Sequence, residues 1–183
     1  DTAASLGFDE LAKLQQDDLA VMWRTGDIEI GGDDELQHAL RYALFQIHMN
    51  AACADGHGIP AKGLTGRGYS GHTFWDTEIF LLPLLMHCAP GHAAAALRWR
   101  SSTLPQARAR ARELGLSGAA FPWRTISGAE CSGYLPAGTA AFHVNADIAF
   151  AFTAFVAATG DQDFERDVAV PVLVETARLW VSL

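Results

Sequence analysis

The connections between helices constrain this chain more than any other feature. Two of them are long and glycine-rich: ADGHGIPAKGLTGRGYSGH over 54–72 and LSGAAFPWRTISGAECSGYLPAGTAAF over 116–142. Each leads into an almost wholly apolar segment, FWDTEIFLLPLLMHCA and HVNADIAFAFTAFVAATG respectively. The remaining breaks, at Ala89 and Pro90 and at Gly160, are one or two residues long and lead into more amphipathic segments. Loop length thus alternates long, short, long, short. In antiparallel helix hairpins arranged around a ring, that alternation places both long loops on one rim, at the N-terminal ends of an inner set of helices.

The helices follow from spacing and punctuation. Phe8, Leu11, Leu14, Leu19, Met22 and Trp23 approximate a helical repeat that Gly26 stops. IEI at 28–30 offers three residues of strand pattern at most. Leu36, Leu40, Leu44 and Ile47 recur every three or four residues, and Asp33 or Asp34 is available to cap that helix. Pro83 is expected to kink the next, apolar helix or to sit near its first turn, and the helix itself is expected to be buried on all sides. Pro90 suits the first position of HAAAALRWRSS, and Thr103 and Pro105 restart a helix that stops at Gly115. After HVNADIAFAFTAFVAATG comes DQDFERDVAV, and Pro171 is expected to begin a last helix, VLVETARLWVSL, which is still periodic at Leu183. No run of five alternating residues reads as a strand, so the class is all-α.

Composition narrows the function. The net charge of −8 over 183 residues argues against a nucleic-acid partner. Arg98, Arg100, Arg108, Arg110 and Arg112 are the local exception, but on helices they cannot form one stripe, and a solvated or salt-bridged face is expected. The longest apolar run, IFLLPLLM, is far short of a membrane span, and DTAASLGFDELAK has neither the basic nor the apolar region of a signal peptide. The expectation is therefore no membrane partner and a cytoplasmic location. Cys53, Cys88 and Cys131 match no paired spacing and are expected to be reduced and buried.

Phosphate loops, zinc helices, GxSxG elbows and EF-hands are absent from the sequence, and no metal set is expected among its seven histidines. His143 and Asp147 lie one helical turn apart and could meet, as a bonded pair at a helix start or as a substrate contact. The stretch GYSGHTFWDTE, 68–78, is more informative. A pyranose offers an apolar face to an aromatic ring and hydroxyls to a carboxylate, so Trp75 followed by Asp76 at a pocket rim suits a sugar. Asp76 as a helix cap and Trp75 as a core ring are equally ordinary roles, and the residues alone leave both readings open. Asp76 and Glu78 are two apart and cannot share a helix face, which speaks against a ready-made acid pair. The second long loop adds Trp123 and Glu130, either as a loop anchored by its own aromatics or as further rim groups.

Taken in order, LTGRGYSGHTFWDTEIFLLPLL, RWRSSTLPQARARARELGLSGAAFPW, HVNADIAFAFTAFVAATGD and ETARLW resemble the catalytic domain of glycoside hydrolase family 65. That family contains maltose, kojibiose, nigerose and trehalose phosphorylases together with trehalose hydrolases. The resemblance implies an (α/α)6 toroid, of which residues 27–183 would be the first part and residues 1–26 a helical lead-in. It implies phosphorolysis of an α-linked glucose disaccharide with inversion, inorganic phosphate being the co-substrate and no cofactor being needed. Trp75 and Asp76 match the family's contacts to the transferred glucosyl ring. Trp123 and Glu130 fall in the loop bordering the acceptor sugar, and His72, Arg67 and Tyr69 belong to the same rim. The family's general acid, in a TGPDEY-like motif, and its phosphate loops are expected beyond Leu183, so the chain alone is expected to lack catalysis. A trehalose-type hydrolase fragment and a non-catalytic helical sugar-binding or scaffold module are the alternatives. The remainder of the toroid or a homodimer mate is the expected partner for open apolar faces around Phe150, Phe152, Phe155 and Trp180.

Overall fold

The computed structural model describes residues 2–52, 54–63, 66–133 and 140–183. Cys53 lies outside them. The chain divides into two compact units, Asp1–His48 and Met49–Leu183.

In the first unit, α1 (Thr2–Gly26) is interrupted at Gly7, where φ is 75° and ψ 169°. The segment 28–30 forms no strand because a side chain takes its backbone groups. Gln37 donates to the Ile28 carbonyl at 3.0 Å and accepts from the Ile30 amide at 2.6 Å. Asp33, rather than Asp34, caps α2 (Asp34–Ala51), its carboxylate accepting from the Leu36 amide at 2.9 Å. Arg41 of that helix reaches back to Asp27 at 2.5 Å.

The second unit holds the hairpins. A π-turn over Thr77–Leu81 runs into α3 (Leu82–Cys88), and only Ala89 separates it from α4 (Pro90–Ser102), with α5 (Leu104–Glu113) after Thr103. α6 (His143–Thr159) ends in left-handed Gly160, φ 66°, and Asp161 caps the return by accepting from the Phe164 amide at 2.9 Å. The return leg is one run: α7 (Gln162–Phe164), a π-turn over Glu165–Ala169, then α8 (Val170–Ser182). Pro171 therefore begins no new helix, contrary to the reading of the sequence.

The two π-turns have one cause. Proline has no amide hydrogen to give the carbonyl four residues back, and its ring crowds that carbonyl. A wider turn immediately upstream relieves both problems. Pro83 and Pro171 each stand two residues past a π-turn, and the wide bonds run from the Leu82 amide to the Thr77 carbonyl and from the Val170 amide to the Glu165 carbonyl. The first apolar helix is not buried on all sides, contrary to the reading of the sequence: Phe80 is 71 % exposed. Across the other hairpin Phe152 and Phe155 are buried against Phe164, at ring distances of 6.2 and 4.5 Å. Of the four aromatics expected to be open, only Phe150 and Trp180 are exposed.

The second long connection begins as core rather than loop. Ala119, Ala120 and Phe121 are buried, and three different helices take their amides: the Glu175 carbonyl at 3.1 Å, the Ala107 carbonyl at 3.0 Å and the Asn145 side-chain oxygen at 2.8 Å. Gly118, at φ 75°, leads into this segment so closely that a Cβ would lie 2.2 Å from the Glu175 carbonyl oxygen. Further on, β2 (Arg124–Thr125) pairs antiparallel with β1 (Thr73–Phe74), Thr73 opposite Thr125 and Phe74 opposite Arg124. The two long connections thus meet on one side of the unit. Among the described residues no helix is long and apolar enough to cross a membrane.

Two predictions follow from the clamp on Ala119. Gly118→Ala combines a left-handed backbone with a steric clash and should cost about 2–5 kcal/mol. Gly115→Ala, at a similar φ of 73° but with open space around it, should cost about 1–2 kcal/mol. Urea unfolding midpoints of the two variants check the difference. The Glu175 side chain adds a pH term. Burial pushes its carboxyl up, but bonds from Arg108 at 3.3 Å and Arg178 at 2.6 Å outweigh burial and hold it below the ordinary glutamate value. Its contribution is then fully present above the ordinary carboxylate range and lost as pH falls through the depressed value. Glu175→Gln should be less stable than the parent at neutral pH, with the gap closing on acidification, as followed by thermal melts across pH.

Candidate functional site

Where the two connections meet, alternation along β1 sends neighbouring side chains to opposite sides. Phe74 packs with Tyr69, ring centroids 5.0 Å apart, and under the Arg124 guanidinium at 5.7 Å. Trp75, next in the chain, joins a different group. Its ring lies 5.6 Å from Trp123 and 4.8 Å from His143, while Trp123 lies 5.6 Å from His143. The imidazole stands nearly perpendicular to both indoles, at 87° and 89°. Three places contribute one ring each: the link between β1 and the π-turn, the second long connection and the start of α6.

The polar groups around this corner differ in how far they are engaged. Asp76 is exposed at the head of the π-turn, its carboxylate makes no capping bond, and it has no partner among the described residues. That removes the side-chain cap as its role. Glu130 is the opposite case. One oxygen accepts from the Trp123 amide at 2.8 Å and faces Arg110 at 3.4 Å, and the other accepts from the Ser132 amide at 3.0 Å and from the Ser132 hydroxyl. Glu130 thus closes the turn that presents Trp123. His143 Nδ1 meets Asp147 at 2.7 Å, as the spacing allowed. The buried indole nitrogen of Trp75 has no hydrogen-bond partner among the described residues.

The remaining rim residues form a second cluster on the Phe74 side. Tyr69 and Ser70 are both left-handed, at φ 54° and 48°, a costly backbone for residues with a Cβ and one that collects at functional sites. Their turn is held by one polar group of its own and one from β2. His72 Nδ1 lies 2.6 Å from the Tyr69 carbonyl, and Arg124 reaches that carbonyl at 3.5 Å. The Lys62 ammonium sits 5.7 Å over the Tyr69 ring. Arg67 is exposed and bonds to none of the described residues.

One component was hidden in the sequence. Glu78, three residues after Trp75, is buried with Arg100 of α4 in a two-bond ion pair, at 2.5 and 3.2 Å. The Glu78 amide also bonds the Trp75 carbonyl at 3.0 Å. The pair therefore fixes the π-turn directly beneath Trp75 and Asp76. Arg100 is salt-bridged, one of the two outcomes expected for these arginines, but in the core rather than on the surface, and that place was signalled only by periodicity: it continues the buried stripe Ala93, Ala96, Leu97. The other arginines disperse, Arg108 to Glu175, Arg110 to Glu130 and Arg98 over the Phe164 ring at 5.1 Å. The cysteines differ from expectation as well. Cys131 is exposed, while Cys88 is half-buried with its thiol pKa pushed up by burial.

With this geometry in hand, the comparison with known proteins is decisive about ancestry. Residues 41–183 match the model of the glycosyl hydrolase family 65 central catalytic domain. The chain belongs to this family.

An uncharacterized glycosyl hydrolase of Mycobacterium leprae is 53 % identical over 100 % of the chain, which covers 23 % of that protein. An alpha,alpha-trehalose phosphorylase of Thermoanaerobacter brockii is 45 % identical over 97 % of the chain and 23 % of its own length. A solved human-microbiome protein assigned as a kojibiose phosphorylase superposes with a TM-score of 0.88 at 32 % identity, over 99 % of this chain and 24 % of that one. The chain thus spans about a quarter of the relatives it matches. Its fold is that of a fragment of the family 65 (α/α)6 toroid, antiparallel helix hairpins with the long loops on one rim.

For this family 65 chain the ion pair gives a stability test. Glu78→Ala leaves a buried guanidinium without its anion and should cost about 3–5 kcal/mol. Replacing both partners with methionine removes the charge altogether and should leave stability close to the parent. Denaturant midpoints of the single and double variants check this.

Proposed function

We propose that this chain supplies the glucose-contacting wall of an inverting α-glucoside phosphorylase, and that residues 27–183 are the first part of its toroid. The observation that carries the reading is Asp76: an exposed carboxylate with no bond among the described residues, next to Trp75 in a corner of two indoles. An aromatic face and an unengaged carboxylate are what the apolar face and the hydroxyls of a pyranose need. In this reading Trp75 stacks on the transferred ring, Asp76 accepts from its hydroxyls, and Trp123 borders the acceptor sugar. Glu130 acts through the Trp123 it holds. Tyr69, His72 and Arg67 close the rim on the other side.

The chain's own acids support a proton donor from elsewhere in the toroid. Glu78 is tied to Arg100, Glu130 is bonded on both oxygens and Glu175 lies between two arginines. A general acid must carry a proton near the glycosidic oxygen, and none of these three is free to do so. Phosphate then attacks the anomeric carbon opposite the leaving group, without a base, in an anion pocket that the rest of the toroid provides. The trehalose phosphorylases are 45–46 % identical to this chain and the kojibiose phosphorylases 35–37 %, which makes trehalose the first disaccharide to assay.

The test is phosphate-dependent breakdown of trehalose, kojibiose, maltose and nigerose by the uncut gene product, with and without Asp76→Asn. The expected outcome is turnover that requires phosphate, and a loss of roughly tenfold to hundredfold in kcat/KM in the variant. Its melting temperature should barely move, because Asp76 caps nothing. Turnover without phosphate would mean a hydrolase. Absence of both turnover and sugar binding would leave the helical scaffold alternative.

A further inference from the structure

The ring corner contains a residue that the wall reading does not use. His143 stands at the first position of α6, perpendicular to both indoles, and half of its side-chain surface is open. Asp147, one turn on, binds Nδ1 at 2.7 Å. A carboxylate on one ring nitrogen fixes the tautomer and the ring orientation, leaving the other nitrogen to act. The two nitrogens of an imidazole point away from each other, so Nε2 is directed away from Asp147. It has no partner among the described residues.

An imidazole that served only to pack between two tryptophans would need no oriented tautomer. Nor would a surface pair at a helix start need two indoles against it, since exposed ion pairs contribute little to stability. Orientation of one nitrogen, half-exposure of the ring and the shared corner with Trp75 and Trp123 together point to a ligand atom. We propose that His143 is a further sugar-contacting residue. Nε2 accepts a hydrogen bond from a hydroxyl of the sugar bound against Trp75 and Trp123, and Asp147 is its positioning residue. This rests on the reading of the corner as a sugar wall.

The two amide substitutions separate the nitrogens. In His143→Gln the amide group can occupy the place of Nε2, and in His143→Asn it can keep only the bond to Asp147. The experiment uses the uncut gene product and measures glucose binding by tryptophan fluorescence, kcat and KM for trehalose, and melting temperature, for these two variants and His143→Ala. The expected result is that His143→Asn and His143→Ala weaken glucose binding and raise KM by about tenfold with little change in melting temperature. His143→Gln should recover most of that loss. Binding unchanged in all three variants, or retained by His143→Asn and lost by His143→Gln, would overturn the proposal. Asp76→Ala serves as the control. If it abolishes glucose binding while the His143 variants do not, only the assignment of His143 falls. If no protein in the set, parent included, binds glucose, the sugar wall falls and His143 with it.

Discussion

The buried ion pair between Glu78 and Arg100 is the interaction on which the site depends. Two charges removed from water are costly, and such a pair is a poor source of net stability compared with well-packed apolar residues. What it does provide is geometry. A two-bond carboxylate–guanidinium contact admits one relative orientation of its partners, here the π-turn over Thr77–Leu81 and α4. Trp75 and Asp76 stand at the head of that turn, so the direction in which they face is set from beneath. The turn is already widened by Pro83, and without a fixed point a wide turn at the end of a long glycine-rich connection would have several arrangements available. Buried charge as a source of a single arrangement is the physical account we favour for a Glu placed in so apolar a helix.

The opposite wall is fixed by other means. The segment Ala119 to Phe121 has no regular secondary structure, yet its three amides are bound by three helices. That anchoring ends just before Trp123, where Glu130 folds the remainder of the connection back through bonds to Trp123 and Ser132. The two-residue ladder between β1 and β2 then joins one wall to the other. Each wall is thus a short presenting segment on a rigid base, the arrangement that lets a loop carry function without losing position.

Much of the fold was legible. Helix starts at Asp33, Pro90, Thr103 and Asp161 and stops at Gly115 and Gly160 carry local signals that tertiary packing did not override. Misreadings came where a residue's local meaning has two outcomes. Proline ordinarily ends or starts a helix, but a preceding π-turn lets Pro171 sit inside a continuous run, and no composition rule distinguishes the cases. Phe150, Phe152 and Phe155 look equivalent along an apolar helix, and only the partner Phe164 decides which of them are covered. At the site, Trp75 and Asp76 stood out because a bulky ring and an acid at the entrance to an apolar helix are unusual. Arg100 did not, since its place arises from contact with Glu78, 22 residues away, and for His143 the spacing showed the bond to Asp147 but not the two indoles that the fold brings against it.

The distribution of carboxylates shows why position, rather than the number of acids, defines this corner. The chain carries an excess of negative charge, and an acid near packed helices must either be paired or remain in water. Glu78, Glu130 and Glu175 are paired, each with a guanidinium within reach, and each thereby holds one structural element in place. Asp147 is engaged with His143. Asp76 alone of these five remains in water with its acceptor capacity unspent among the described residues. A carboxylate left so beside an aromatic corner exchanges bonds with water for bonds with hydroxyls at little net cost, and a sugar is a rigid array of hydroxyls with an apolar face attached. The pairing that holds Glu78 in the core also fixes the turn at whose head Asp76 stands, so the exposure of one acid and the rigidity of the other are two consequences of one arrangement of charge.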